Sequence, residues 1–162
     1  MDYEAVLLLG SNFNNKERFI DLALEEIAKK YTINKKSSFF YSPPWGYNSK
    51  NEFVNIGIQI ECNNSAEFLL REVLDIEINL GRKRKGDDSY EDRPIDIDVI
   101  LYGNMIINQK ELIIPHPRMH LRNFCLIPLN EIIPNYIVPG FNKTINQLLS
   151  ICEDNSEVTC LK

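Results

Sequence analysis

The segment Ile95-Asp96-Ile97-Asp98-Val99-Ile100-Leu101 constrains this chain more than any other stretch. It is β-branched and apolar enough to read as a strand, yet it carries two carboxylates two residues apart. Side chains alternate across a strand. Ile95, Ile97, Val99 and Leu101 are therefore expected on one face and both aspartates on the other, with β-carbons roughly 6–7 Å apart. A face covered by helices is a poor place for adjacent carboxylates. The sheet that holds this strand is expected to have one packed face and one open one.

The segments before it supply the rest of such a sheet. Ala5–Leu9 is a short apolar run closed by Gly10-Ser11-Asn12, and reads as a strand. Ile20, Ala23, Leu24, Ile27, Ala28 and Tyr31 recur at helical spacing, with Asn14 or Asn15 as the cap. Residues 37–42 read as a strand that stops at Pro43-Pro44. In Phe53–Glu61, Val54, Ile56, Ile58 and Ile60 alternate with Phe53, Asn55, Gly57 and Gln59. A second helix carries Ala66, Leu69, Leu70, Val73, Ile76 and Leu80, capped by Asn64 with Glu67 and ended by Gly81. The order β-α-β-β-α-β, closing on Ile95–Tyr102, is that of an α+β, ferredoxin-like unit with helices on one face of an antiparallel sheet. The final third is less regular. Short strands are expected near 105–107 and 112–114 and a helix near 143–150, with 150–162 a tail that frays.

Length and charge narrow the class of function. The 162 residues fit one domain over 1–162, and 44% apolar with 25% charged residues excludes wholesale disorder. The four cysteines are widely spaced without CxxC pairing, as expected of a reduced, cytoplasmic protein, and no apolar run approaches a membrane span. Net charge is −5, yet five of the seven arginines (Arg82, Arg84, Arg93, Arg118, Arg122) fall between residues 82 and 122. A local arginine cluster on an acidic chain points to a phosphorylated small ligand. A polynucleotide binder is more often basic throughout, so an RNA-binding sheet is disfavoured and no nucleic-acid or membrane partner is expected.

Three constellations carry the chemistry. Asp96 and Asp98 repel each other unless a cation sits between them, and all-oxygen ligation favours Mg²⁺. Residues 81–94 form a connection of 14 residues without apolar periodicity, with Arg82 and Arg93 near its ends, which fits a flap that closes over phosphates. His116 and His120 in Ile114–Phe124 are spaced as zinc ligands can be, but Pro117 opposes a helix through both, so donors to a nucleotide are the better reading, with a structural role the default for His120. Phe53 and Asn55 share a face beside the Pro43–Gly46 loop, an aromatic plate next to an amide that suits a flat heterocycle, with Phe124 as a second plate. Taken singly, each aromatic is more often core. Neither GxxxxGK[ST] nor GxGxxG occurs.

Taken in order, Gly10-Ser11-Asn12, Ser42-Pro43-Pro44-Trp45-Gly46, Phe53-Val54-Asn55, Glu77 with Gly81-Arg82, Arg93-Pro94-Ile95-Asp96-Ile97-Asp98 and Pro115-His116-Pro117-Arg118-Met119 resemble the hydroxymethyldihydropterin pyrophosphokinases of folate biosynthesis, from about residue 3 to residue 150. The chain looks like the monofunctional form. The resemblance implies transfer of diphosphate from ATP to the hydroxymethyl oxygen of a dihydropterin, with release of AMP. It implies two Mg²⁺ ions on Asp96 and Asp98, and Arg82 and Arg93 closing on the phosphates. It further implies ATP contacts from Glu77, Arg84, His116 and Arg122. Phe53 and Phe124 would sandwich the pterin, while Asn55 and groups around Ser42, Pro43 and Trp45 read its edge. A monomer is expected. The family's Gly-Pro before the loop arginine is Glu91-Asp92 here, and Tyr90 stands where the family has a tryptophan.

Overall fold

The computed structural model describes residues 2–82 and 92–160. Strand β1 (Tyr3–Ser11) is followed by helix α1 (Lys16–Ala28), strands β2 (Ile33–Lys36), β3 (Phe40–Ser42) and β4 (Phe53–Cys62), helix α2 (Ala66–Asn79) and strand β5 (Asp96–Tyr102). β1 lies between β4 and β5, and β2 and β3 both run along the outer edge of β4, all antiparallel. This is the ferredoxin-like order expected from the sequence. Of the strand expected over 37–42 only Phe40–Ser42 forms, and a separate strand, β2, precedes it at Ile33–Lys36. Between them Ser37 N donates to Gly57 O at 2.9 Å, and Ser37 Oγ accepts from Gly57 N at 2.9 Å. A side-chain hydroxyl thus replaces a carbonyl in the ladder, and the strand kinks there.

One face of the sheet is apolar throughout. Ile20, Ala23 and Ile27 of α1 and Ala66, Leu69, Val73 and Ile76 of α2 pack on Leu7, Leu9, Val54, Ile56, Ile58, Ile60, Ile97 and Val99. Ala28, expected in the α1 stripe, is exposed. Asn15 sits at the start of α1 with φ 59 and makes no side-chain cap. Ser65, one residue after Asn64, caps α2, its Oγ accepting from Phe68 N at 3.1 Å. Gly81 ends that helix in a Schellman turn: its φ is 101, Gly81 N donates to Ile78 O and Arg82 N to Glu77 O, both at 3.0 Å. The turn delivers Arg82 beside Glu77.

Coverage of the second face departs from expectation. A helix the sequence pattern did not reveal, α3 (Asn123–Ile132), packs there, after two short strands β6 (Ile107–Asn108) and β7 (Ile113–Ile114). A hairpin of β8 (Ile137–Val138) and β9 (Lys143–Thr144) then leads into helix α4 (Ile145–Ile151). Leu126, Leu129, Ile145 and Leu148 meet Val6, Leu8, Ile100 and Leu101. Helices therefore lie on both faces, not one. Leu101 is on the second face because the register shifts between Val6 and Leu7, and Ile100 is passed over in the pairing. Gly57 lets α3 approach, since a Cβ there would stand 2.9 Å from Leu129 Cδ2. Within the described residues the tail returns to the sheet. Thr159–Cys160 form β10 on the free edge of β3, and Asn123 Nδ2 donates to Asp154 O and Ser156 O at 3.2 and 2.6 Å. Among the described residues, no helix is long and apolar enough to cross a membrane.

Candidate active site

α3 and α4 leave one end of the second face uncovered, and strand parity decides which side chains line it. Leu8 pairs with Asp98, Gly10 with both Asp96 and Asn55, and Phe53 with Ser42. These residues floor a cleft of about 50 Å³ walled by Pro43, Trp45, Tyr47, Arg93, Arg122 and Phe124. Gly10 keeps this floor open: a Cβ would lie 3.0 Å from Asn55 Oδ1 and press on that amide.

The aspartate end of the cleft is electrically uneven. Arg82 Nη1 bridges Glu77 Oε2 at 2.6 Å and Asp96 Oδ1 at 2.8 Å, and Arg93 Nη1 lies 3.5 Å from Asp96 Oδ2. Burial alone would raise the Asp96 carboxyl, but Arg93 and Arg82 outweigh it and hold the group below the usual carboxylate range. Among the described residues no such clamp holds Asp98. Burial, then the charges of Asp96 and Glu77, push it up to about 8, against the weaker pull of Arg122 and Arg82. Burial, with Arg122 beside it, takes His116 down to about 4, although Asp96 pulls the other way. The imidazole is neutral at pH 7, with Nδ1 accepting from Arg118 N at 3.2 Å.

At the other end, Asn55 is 2% exposed and donates from Nδ2 to Ser42 Oγ at 2.8 Å. Phe53 and Phe124 both line the cleft. The Arg122 guanidinium stacks 4.3 Å from the centre of the Trp45 ring and 5.5 Å from that of Phe124, while Arg93 lies 5.8 Å from Phe53. Arg122 Nε is buried without a hydrogen-bond partner among the described residues, a donor suited to a ligand oxygen.

Ten of the residues singled out from the sequence meet in this cleft: Ser42, Pro43, Trp45, Phe53, Asn55, Arg93, Asp96, Asp98, Arg122 and Phe124. Arg82 stands behind Asp96. Glu77 is 1% exposed and faces inward, accepting from Ile97 N at 2.8 Å as well as from Arg82, so it holds α2 to β5. His116 is outside the lining, its backbone N donating to Ile100 O at 2.9 Å. His120 packs against Phe141, the ring centres 4.9 Å apart and the planes tilted by 48°. Arg84, Tyr90, Glu91 and the loop lysines Lys83 and Lys85 lie outside the described residues. Among the described residues no group of three or more His, Cys, Asp or Glu is placed to hold a metal; a cation on Asp96 and Asp98 would need its remaining oxygens from substrate and water. The sequence reading missed Leu8, Gly10 and Tyr47. Only the closing Gly-Ser-Asn of β1 hinted at the second of these.

The sequence matches the family model described as 7,8-dihydro-6-hydroxymethylpterin-pyrophosphokinase over residues 6–134. The chain belongs to this family. The Haemophilus influenzae 2-amino-4-hydroxy-6-hydroxymethyldihydropteridine pyrophosphokinase is 34% identical over 156 residues, covering 95% of this chain and 96% of that one. The Aquifex aeolicus enzyme of the same name is 32% identical over 139 residues and 86% of each chain. In fold, the structure is similar to the Plasmodium falciparum HPPK-DHPS with pteroate, with a TM-score of 0.77, 16% identity and 93% of this chain matched to 44% of that one.

Proposed function

We propose that this pyrophosphokinase works with its pterin between Phe53 and Phe124 and the ATP triphosphate over Asp96 and Asp98. The reaction forms a bond from the hydroxymethyl oxygen of 6-hydroxymethyl-7,8-dihydropterin to the β-phosphorus of ATP. It breaks the bridge between the α- and β-phosphates, so AMP leaves and the hydroxyl gives up its proton. The observation that carries the reading is convergence. One cleft joins two carboxylates and two arginines to an aromatic-amide end.

Each residue has a task. Asn55, steered by Ser42, offers its amide to the edge of the ring. Phe53 and Phe124 give it two apolar faces. Arg93 and Arg122 meet phosphate oxygens, and Arg82 and Glu77 hold Asp96 in place from behind. Arg122, stacked on Trp45, is the long and pliable side chain of the cleft wall. His116, neutral beside Arg122, is a hydrogen-bonding group for the nucleotide, as is Arg84.

The all-oxygen donor pair fits Mg²⁺, and Asp98, held near 8 by burial and two neighbouring carboxylates, is a group a cation stabilises in its ionised form. We take two ions to be held by Asp96 and Asp98. When bound, Mg²⁺ offsets the charge of the triphosphate and polarises the attacking hydroxyl. The proposal includes action as a monomer, checked by sedimentation at assay concentration. Measuring AMP and ADP from MgATP, with and without the hydroxymethyl pterin, tests the whole. Pterin-dependent AMP is expected; ADP, or AMP without pterin, overturns the reading.

A further inference from the structure

Behind the rim of the cleft, one carboxylate joins three segments distant in sequence. Asp92 Oδ1 accepts from Asn12 Nδ2 at 2.7 Å and from the Tyr47 hydroxyl at 3.0 Å, and Asp92 Oδ2 accepts from Asn51 Nδ2 at 2.7 Å. Asn12 is 2% exposed and closes the circuit. Its Oδ1 accepts from Arg93 N at 2.8 Å, its own N donates to Arg93 O at 3.3 Å, and its Nδ2 also reaches the Tyr47 hydroxyl at 2.7 Å. The end of β1, the 43–52 loop with Trp45, and the backbone of Arg93 thus meet around Asp92 and Asn12.

We infer that Asp92 is a positioning residue for Arg93 and for the Trp45–Tyr47 rim. It is not part of the cleft lining and reaches the chemistry only through its neighbours. Ionised acceptors make hydrogen bonds about twice as strong as neutral ones, and donors from two segments, Asn12 on one and Tyr47, Ser49 and Asn51 on the other, leave a carboxylate little freedom. Burial would raise its pKa, but the hydrogen bonds from Ser49, Asn51, Tyr47 and Asn12 win and keep it charged. Arg93, anchored on both sides of its peptide, then presents its guanidinium 3.5 Å from Asp96 Oδ2 and 5.8 Å from the Phe53 ring, at the junction of the phosphate and pterin ends. A negative charge so close to a phosphate path would otherwise only repel ATP. Its engagement by these donors is what turns it to use.

The inference rests on the pyrophosphokinase reading, and the experiment separates the two. Steady-state kcat and KM for ATP are measured for wild type, Asp92→Ala, Tyr47→Phe, Arg93→Ala and the Asp92→Ala/Arg93→Ala double variant. The emission of Trp45, the chain's single tryptophan, is recorded without substrate. Loss of an outer partner that orients a metal ligand costs about 10–100-fold, and Asp92 is expected to act on Arg93 at a similar scale. Asp92→Ala is expected to lower kcat by that amount and to move KM for ATP by less than about threefold. It should add no more than about twofold in the Arg93→Ala background, and Trp45 emission should shift to the red. Tyr47→Phe, which removes one hydroxyl and keeps the ring, is expected to show the same coupling at smaller size. Additive losses in the double variant overturn the inference, as does tighter ATP binding with kcat unchanged. A wild-type chain that makes no pterin-dependent AMP defeats the functional reading instead, and the Trp45 emission still decides whether Asp92 holds the rim.

Discussion

The two faces of the sheet are built from the same strands and do opposite work. On the face under α1 and α2, Leu7, Leu9, Ile56, Ile58, Ile97 and Val99 are at most 6% exposed and wholly apolar. The intervening residues of β1, β4 and β5 are Leu8, Gly10, Asn55, Asp96 and Asp98, and they floor the cleft. Alternation lets one strand contribute to a core and to a polar site without a change of backbone. What differs is the cover. α1 and α2 close the first face along its length, whereas α3 and α4 close only the half of the second that holds Val6, Leu8, Ile100 and Leu101. Carboxylates taken from water cost several kcal/mol each unless paired, so a site of this kind needs a strong apolar face behind it.

That contrast predicts separable effects. The largest is expected for Asp98→Ala: turnover should fall about 10³-fold or more, since a metal ligand serves several kcal/mol of charge stabilisation, while the melting temperature barely drops. Normal turnover at saturating Mg²⁺ would remove Asp98 from the site. The mirror experiment is Ile58→Ala on the apolar face. It should cost about 2–5 kcal/mol in urea unfolding, with kcat per folded molecule unchanged. A large kcat loss there would mean the faces are not independent. Phe124→Ala should weaken pterin binding about 2–10-fold, the worth of one aromatic contact, and leave ATP affinity alone.

The pH dependence sharpens the comparison further. Asp98 has a folded pKa of about 8 against 3.8, so the folded protein keeps a proton that the unfolded chain has lost. Its contribution to stability is complete below about pH 4 and is lost as pH rises towards 8. His116, lowered to about 4, acts in the opposite sense, and its contribution is lost as pH falls from 6.5 to 4. Metal-free Asp98→Asn should therefore gain on wild type in melting temperature between pH 5 and 8.5, and a constant difference would contradict the burial of Asp98. Affinity for Mg²⁺ with nucleotide should rise over the same range in wild type only. The smallest effect is Ser65→Ala, a lost helix cap on the far side of the apolar face. It should cost about 1 kcal/mol of stability and nothing in catalysis.

Legibility followed the range of the interactions concerned. Period-2 and helical spacing disclosed β1, β4, β5, α1 and α2, because each is decided by residues within a few positions. Helix α3 stayed hidden because Pro128 lies inside it and its residues are apolar on most sides, which erases the contrast that periodicity needs. Leu101 was placed on the wrong face because a bulge changes parity without any mark in the sequence. The cap falls on Ser65 and not on Asn64 for a similar reason: adjacent residues with comparable capping chemistry are told apart only by where the chain enters the helix. Asp92 and Asn12 are 80 positions apart, and no local pattern announces that they touch.

The sequence by itself determined which side chains share a face, and so that two aspartates, an amide and an aromatic could stand together, because alternation is a property of every extended chain. Only the tertiary structure decided which end of that face stays open and which aspartate is clamped. The open end depends on α3 docking over Gly57, and the clamp on a Schellman turn that carries Arg82 to Glu77 and Asp96. Both join residues far apart along the chain, whose meeting is settled by the packing of the whole.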